Sequence, residues 1–210
     1  MFNYSIFIND IYYIIVYYSM RKIPDEYEDI IDNQFLDLSE YVSPTFYNNG
    51  FTPNMITTLS NISAFIVIIF LIKSKFYLAG FFVMVTYFFD CLDGYFARKY
   101  KMTSKFGDYY DHISDFVKST AILTTMYFIN PSKFFKIIPI LIVIFFLMLR
   151  HLGCQEKYYN KDESDTLHFT KKICPIDKNE NIEDKLRYTR YFGCGTFNLV
   201  LALCIIYYDY

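Results

Sequence analysis

Tryptophan is absent from this chain of 210 residues, which also contains only seven glycines and five cysteines. Because the cysteines are odd in number and form no C-x-x-C pair, we expect neither a disulfide framework nor a zinc site. The net charge of −2 gives no overall basic field, so nucleic acid is not an expected partner. An apolar fraction of 54% excludes a disordered chain. Since glycine is so scarce, any place where small residues cluster is informative.

The apolar residues are gathered into long runs, and these runs decide the fold class. Residues 55–72 and 191–208 carry no charged side chain, and residues 134–149 carry only Lys136. A helix needs about 20 apolar residues to span the hydrocarbon core of a bilayer. The sequence therefore predicts an all-α integral membrane protein, a bundle of five to six transmembrane helices preceded by an interfacial amphipathic helix. The predicted spans are 55–73, 76–97, 108–129, 134–150 and 190–208.

Two polar regions lie outside these runs. Residues 21–52 mix acidic and apolar side chains, a pattern that favours an amphipathic helix on the membrane surface. Residues 1–20 are apolar but diluted by asparagine and serine, and we interpret them as interfacial, with a further span as the alternative. We assign 1–51 to an N-terminal interfacial segment and 52–210 to the membrane domain, in which the stretch 150–190 forms a polar cytoplasmic loop or a short amphipathic pair.

Basic residues predict the orientation of the bundle, because lysine and arginine concentrate on the cytoplasmic side of membrane proteins. If the connection after Asp90 faces the cytoplasm and residues 1–20 do not span, that side collects fifteen of the 20 basic residues. The opposite side then has four. The sequence therefore predicts that the N-terminus and the region after Asp90 both face the cytoplasm.

Residues 90–98 combine carboxylates with the rare small side chains. On a helix that turns by about 100° per residue, Asp93 lies about 60° from Asp90 around the helix axis. Gly94 and Ala97 both lie within about 40° of Asp90. Two carboxylates and two small residues therefore share one helix face. Arg98 follows at the end of this face, where its guanidinium either binds a phosphate oxygen or extends along the membrane surface as an ordinary interfacial arginine.

The next predicted helix has an acidic face of its own, because Gly107, Asp111 and Asp115 recur every four residues. A turn near 99–106 brings the two faces together, so that four carboxylates converge. Four aspartates at membrane depth would each cost roughly 2.5–3.5 kcal/mol unless cations hold them. Oxygen ligands without histidine or cysteine select hard ions, and four carboxylates around a phosphate-sized gap fit two Mg²⁺ or Mn²⁺ ions.

The spacing of these residues resembles the signature of the CDP-alcohol phosphatidyltransferases and agrees with it at eight fixed positions over twenty-six residues. The matching string is Asp90-x2-Asp93-Gly94-x2-Ala97-Arg98-x8-Gly107-x3-Asp111-x3-Asp115. Upstream, the segment Thr52-Pro53-Asn54-Met55-Ile56-Thr57 is similar to the opening of the first span in that family. The resemblance covers residues 52–129 and implies six transmembrane helices, with a site open to the cytoplasm.

The resemblance also implies a reaction in phospholipid biosynthesis. Members of the family transfer the substituted phosphate of a CDP-alcohol to an acceptor hydroxyl and release CMP, with two divalent ions bridging the diphosphate. The implied donor is CDP-diacylglycerol, CDP-choline or CDP-ethanolamine, and the implied assembly is a homodimer in the bilayer. The implied metal ligands are Asp90, Asp93, Asp111 and Asp115, and Asp115 is also the implied general base. The residues implied to hold the cytidine nucleotide are Gly94, Ala97, Arg98 and Gly107.

Some assignments stay open from the sequence. Lys118 shares the face of Asp111 and either neutralises the carboxylates or binds a phosphate of the acceptor. Thr57 either touches the nucleotide or caps the first span, and Asp108 is expected to be solvated. Five spans are found where the family has six, so part of 150–190, the N-terminal segment or a second subunit completes the bundle. The choice between the two donor classes is not determined.

Two other functions compete with the transferase. A cation transporter or channel would use the acidic face as an ion pathway. That reading explains the carboxylates but not the glycine, alanine and arginine at fixed spacing. An inactive family member acting as a structural partner is the third hypothesis, and the complete set of acidic residues counts against it.

Overall fold

The computed structural model describes residues 20–159, 168–174 and 181–209. These residues are helical or lie in turns between helices, without a β-strand. The longer helices are α1 Ile30–Asn48, α2 Pro53–Ile72, α3 Phe76–Lys99, α4 Lys105–Ile129, α5 Pro131–Tyr159, α6 Ile182–Thr189 and α7 Cys194–Tyr207. Short 3₁₀ helices cover His168–Ile173 and Arg190–Phe192. The segment 1–19, which the sequence predicts to be interfacial, lies outside the described residues.

The predicted all-α membrane fold is confirmed. Four helical segments are long and apolar enough to cross a membrane: Pro53–Ile72, Phe76–Lys99, Pro131–Tyr158 and Ile182–Asp209. The third predicted span, 108–129, forms as helix α4 but is not among these four, because the charged residues of its first half lower its hydropathy. The fourth predicted span is longer than expected. Its helix α5 continues past residue 150 into the stretch that the sequence assigns to a polar loop.

The spanning helices pack around an apolar core at the end of the bundle far from the acidic residues. Val67 and Leu71 of α2, Val83 of α3, Met126 of α4 and Ile205 of α7 are almost fully buried in it. Large side chains on the outer faces of the same helices remain exposed, among them Phe65 and Phe81. Apolar side chains on the outside of a helical bundle are what a surrounding bilayer requires.

Helix α1 is joined to α7 by one buried carboxylate. Asp29 caps α1, since its Oδ1 accepts hydrogen bonds from the backbone N–H groups of Ile31 and Asp32 at 2.8 and 3.3 Å. Its Oδ2 accepts from the backbone N–H of Gly193 at 2.9 Å and from the hydroxyl of Thr196 at 2.7 Å. One side chain therefore satisfies the N-terminal donors of two helices and fixes α1 against the bundle.

The amphipathic pattern predicts solvated acidic residues on α1; Asp37 is exposed as expected, but Asp32 is buried. Asp32 is 8% exposed and accepts a hydrogen bond from the phenol of Tyr87. A Cβ atom at Gly195 would lie 2.4 Å from Asp32 Oδ1 and 2.6 Å from Ile31 Cβ, so only glycine permits this contact between α1 and α7. Burial, together with the nearby carboxylates of Glu28 and Asp29, raises the pKa of Asp32 well above its usual range.

We expect Asp32 to lower the stability of the protein as the pH rises from about 4, the pKa of an aspartate in an unfolded chain, toward its raised pKa in the folded state. Because its pKa is higher in the folded than in the unfolded chain, the folded state holds more protons between the two values, and stability is lost through that window. The thermal unfolding midpoint in detergent should drop by several degrees over this range, and Asp32→Asn should flatten the dependence. The control Ser39→Ala changes a buried polar residue of the same helix that does not titrate, and should keep the wild-type slope. Equal slopes in all three proteins would contradict the assignment.

One sequence expectation is wrong. Cys154 at the end of α5 and Cys174 after the short helix His168–Ile173 form a disulfide, with Cα atoms 5.0 Å apart. A Cβ atom at Gly153 would lie 2.3 Å from the carbonyl oxygen of Thr170, so the glycine allows the short helix to approach α5 closely enough for the bond. Twenty residues separate the cysteines. Their pairing therefore depends on this tertiary contact and cannot be read from their spacing.

Candidate active site

The turn between α3 and α4 brings the predicted acidic faces together. Lys101 adopts a left-handed conformation with φ of 55°, and the backbone N–H of Met102 donates to the carbonyl of Ala97 at 2.8 Å, which ends α3. Ser104 then caps α4, because its hydroxyl accepts from the backbone N–H of Gly107 at 3.0 Å. The chain therefore reverses direction within a few residues, and the last turns of α3 face the first turns of α4.

Three of the four predicted ligands form one cluster. Asp90, Asp93 and Asp111 each place one carboxylate oxygen within 4.8 Å of the other two. The Oδ1 atom of Asp111 is buried and has no hydrogen-bond partner among the described residues. A buried carboxylate oxygen without a donor is costly unless a cation binds it. The cluster therefore fits a hard divalent cation such as Mg²⁺ or Mn²⁺, which prefers oxygen ligands.

A threonine from α2 orients one of these carboxylates. The Thr57 hydroxyl donates to Asp93 Oδ2 at 2.6 Å, and both side chains are nearly inaccessible, at 2% and 4% exposure. Thr57 is thus not the cap of α2, one of the two roles that the sequence left open. The cap of α2 is Thr52. Hydrogen bonds from a second layer of residues fix the orientation of metal ligands and raise metal affinity.

Asp115, the predicted general base, lies beside the cluster and is paired with lysine. Its Oδ1 lies 2.7 Å from Lys118 Nζ, which also contacts Asp90 Oδ1 at 3.1 Å and donates to Ser60 Oγ at 2.7 Å. Of the two roles open for Lys118, neutralisation of the carboxylates is the one that these contacts favour.

The residues implied to hold the nucleotide are only partly brought together. Gly94 and Arg98 line the same cavity as the aspartates, and a Cβ atom at Gly94 would lie 3.3 Å from Arg98 Nη1. Arg98 Nε donates to the carbonyl of Met20 at 2.7 Å, which ties it to the segment before α1. Ala97 and Gly107 are not among the described residues that line the cavity. A Cβ atom at Gly107 would lie 3.0 Å from Ser104 Oγ, so the glycine leaves room for the hydroxyl that caps α4.

A cavity of about 820 Å³ opens from the cluster into the bundle. Its polar end contains Asp90, Asp111, Asp115 and Arg98. Its other end is apolar and is formed by side chains of α4, α5 and α7, among them Phe116, Ile138, Leu141, Phe145 and Leu201. The cavity can therefore hold a molecule with a charged head and a hydrocarbon part.

A second group of acidic residues borders this cavity and was missed by the sequence reasoning. Glu28 and Asp32 line its wall, and Glu28 accepts a hydrogen bond from Gln155 Nε2 at 2.7 Å. The nearest ring nitrogen of His151 lies 4.0 Å from Glu28 Oε1. Burial raises the pKa of Glu28. No sequence signal separates these acids from a solvated amphipathic face, because their burial depends on contact with α5 and α7.

A signal for Thr57 and Ser60 was present in the sequence. Thr57, Ser60 and Ala64 lie within about 60° of one another on α2 and form a stripe of small side chains on a mostly apolar helix. Small polar residues at this spacing in a membrane helix mark a face that packs against another helix or a site. All three are buried in the structure.

Comparison with known proteins adds one positive finding. The family model described as CDP-alcohol phosphatidyltransferase matches residues 51–164, which include the whole of α2, α3, α4 and α5. Searches of the curated proteins and of the solved structures found no significant match.

Proposed function

Because the chain belongs to the CDP-alcohol phosphatidyltransferase family, a class of enzymes that transfer phosphatidyl groups from CDP-alcohols, we propose that it is an active, metal-dependent transferase of phospholipid biosynthesis. The observation that carries the proposal is the buried Oδ1 of Asp111, which finds no hydrogen-bond donor in the part of the chain that the structure describes, within the cluster of Asp90, Asp93 and Asp111. An inactive relative would have no reason to keep three carboxylates in mutual repulsion.

The residues divide the chemistry between them. Asp90, Asp93 and Asp111 would hold Mg²⁺ or Mn²⁺, which when bound withdraws charge from the diphosphate of the donor. The acceptor hydroxyl forms a bond to the phosphorus that carries the alcohol, and the bond from this phosphorus to the CMP oxygen breaks. Asp115 takes the hydroxyl proton, and CMP leaves with the electron pair. Gly94 and Arg98 would contact the nucleotide from the cavity wall, and the roles of Ala97 and Gly107 toward it remain predictions.

The apolar end of the cavity supports a lipid as one of the two substrates. Hydrocarbon chains entering between α4 and α5 would lie against Phe116, Ile138 and Phe145, in continuity with the bilayer. Either CDP-diacylglycerol as donor or diacylglycerol as acceptor satisfies this geometry, the latter with CDP-choline or CDP-ethanolamine. The proposal also divides the chain into an N-terminal segment, 1–51, and a membrane domain, 52–210. It further includes assembly of the chain as a homodimer.

We further propose that the site faces the cytoplasm, on the basis of the basic residues that collect at its end of the bundle. The disulfide between Cys154 and Cys174 lies at the same end, and disulfides are rare in a reducing compartment. Both cysteines are at most 2% exposed, so thiol reductants have poor access to the bond. Labelling of single cysteines placed in the α3–α4 turn, from either side of sealed vesicles, tests the orientation.

The function is tested by CMP release. We expect purified protein in detergent or liposomes to form CMP from at least one CDP-alcohol, in the presence of an acceptor and of Mg²⁺ or Mn²⁺. The donors are CDP-diacylglycerol, CDP-choline and CDP-ethanolamine, and the acceptors are glycerol 3-phosphate, inositol and diacylglycerol. Chelation with EDTA should reduce release to background, and excess Mg²⁺ should restore it. If no donor gives CMP and divalent ions cross the liposome membrane, the transferase hypothesis is wrong and the transporter hypothesis is favoured.

A further inference from the structure

The ammonium group of Lys118 lies between two of the four carboxylates in the family signature. Its Nζ is 2.7 Å from Asp115 Oδ1, 3.1 Å from Asp90 Oδ1 and 2.7 Å from Ser60 Oγ. A lysine ammonium has three N–H donors, and these three oxygens use all of them. The side chain is 9% exposed, so packing as well as charge holds the ammonium in this position.

Asp90 also belongs to a second group, which contains the other two carboxylates. Asp90, Asp93 and Asp111 each offer one oxygen within 4.8 Å of the others, whereas Asp115 is not a member of this group. Opposite ligands of Mg²⁺ lie about 4.2 Å apart, so one ion requires only a small closure of the cluster. The partnerless Oδ1 of Asp111 is the acceptor that such an ion would satisfy. One divalent ion therefore fits these residues.

A second divalent ion does not fit beside it. In a two-metal site the ions lie about 3.5–4 Å apart, and the second one would need Asp115, the carboxylate outside the group of three, together with Asp90, which shares Lys118 with it. Its ligand oxygens would have to lie about 2.1 Å away. The Nζ of Lys118 already lies within 3.1 Å of an oxygen of each of these two carboxylates, so an ion there would overlap and repel it.

We propose that the Lys118 ammonium takes the place of the second divalent ion, so that each chain binds one Mg²⁺ or Mn²⁺, at Asp90, Asp93 and Asp111. The proposal deepens the proposed function and rests on it for the reaction, but departs from the two ions that the family resemblance implies. Lys118 is then a positioning residue. It holds the Asp115 carboxylate, the base of the reaction, and offsets negative charge at Asp90 without depending on the metal concentration.

The test counts bound metal and does not need turnover. Mn²⁺ is titrated into the purified full chain in detergent, and bound ions are counted from the loss of the free Mn²⁺ electron paramagnetic resonance signal. We expect one ion per wild-type chain, without the spectral broadening of two coupled ions. Lys118→Met removes the charge and keeps most of the stem, and should bind two ions. Lys118→Gln serves as a second neutral variant, and Lys73→Met, at an exposed position beyond the opposite end of α2, should bind one.

Two results would overturn the proposal. One is a pair of coupled Mn²⁺ ions in the wild-type protein, which is decisive even if neither Lys118 variant folds. The other is a single ion in a folded Lys118→Met or Lys118→Gln variant, with folding checked by thermal unfolding. Absence of CMP release from a protein that binds one Mn²⁺ would count against the proposed reaction and leave the metal count intact, so the two failures are distinguishable.

Discussion

Replacing Asp111 by asparagine should reduce metal-dependent CMP release at least about 10³-fold, because the change removes a unit charge next to a divalent ion. Two unit charges 4 Å apart interact by about 4 kcal/mol at an effective dielectric constant of 20, and that free energy corresponds to a rate factor of about 10³. The measurement is CMP formation at saturating donor with Mg²⁺ varied up to high concentration. If additional Mg²⁺ restores full activity, Asp111 is not a ligand whose charge the reaction needs.

Stability separates this effect from a folding defect. Since Asp90, Asp93 and Asp111 repel one another without a cation, Asp111→Asn should unfold at the same temperature as the wild type or higher when no metal is present. Asp108→Asn is the matched control, because Asp108 lies on the same helix one turn earlier and outside the cluster. It should change CMP release by less than about threefold, as is usual for substitutions away from a site. If both variants lose CMP release to the same extent, Asp111 is not a metal ligand of the reaction.

Replacing Thr57 by valine should weaken the binding of the metal by about 10–100-fold, the usual effect of removing a hydrogen bond to a ligand. Valine keeps the shape of threonine but cannot donate, so Asp93 Oδ2 loses the 2.6 Å hydrogen bond that holds it toward the cluster. The quantities to measure are the dissociation constant of Mn²⁺ and the Mg²⁺ concentration that gives half-maximal CMP release. Both should shift together, while the rate at saturating metal changes less.

The neighbouring threonine provides the control for this variant. Thr58 lies one residue further along α2, and its hydroxyl donates to the carbonyl of Asn54 at 2.8 Å and lies 3.1 Å from the hydroxyl of Tyr110. Thr58→Val is the same chemical change on the same helix, but it touches no carboxylate of the cluster, so metal affinity should stay within about twofold of wild type. If Thr57→Val also binds Mn²⁺ normally, the hydroxyl does not position Asp93.

Local rules were sufficient for the elements of the fold. Charge-free runs placed α2, α3, α5 and α7 because their composition must match a bilayer, whatever their partners are. The periodicity of Asp90 and Asp93 on one helix and of Asp111 on the next placed them on facing sides, and the structure brings them together. Both inferences depend only on helix geometry and on residues close in sequence.

The same rules failed where distant segments meet. The acidic side chains of residues 21–52 were expected to form a solvated helix face. Asp29 and Asp32 are nevertheless buried, because the N-terminus of α7 covers them. The sequence drew attention only to the glycines of the motif, Gly94 and Gly107, yet close approaches to residues more than ten positions away require glycine at 153 and 195. Neither the approach nor the partner leaves a pattern in a single sequence.

The sequence by itself determined that this is a helical membrane protein with aspartates at the spacing of a hard-cation site, and that it resembles the CDP-alcohol phosphatidyltransferases. Hydropathy, helical period and a motif of fixed spacing are local properties, so the linear order of residues contains them. The tertiary structure decided the Cys154–Cys174 pairing, the hydrogen bond from Thr57 to Asp93, and the place of Lys118 between Asp90 and Asp115. Each of these depends on a distance between atoms that the chain brings together only when the helices pack.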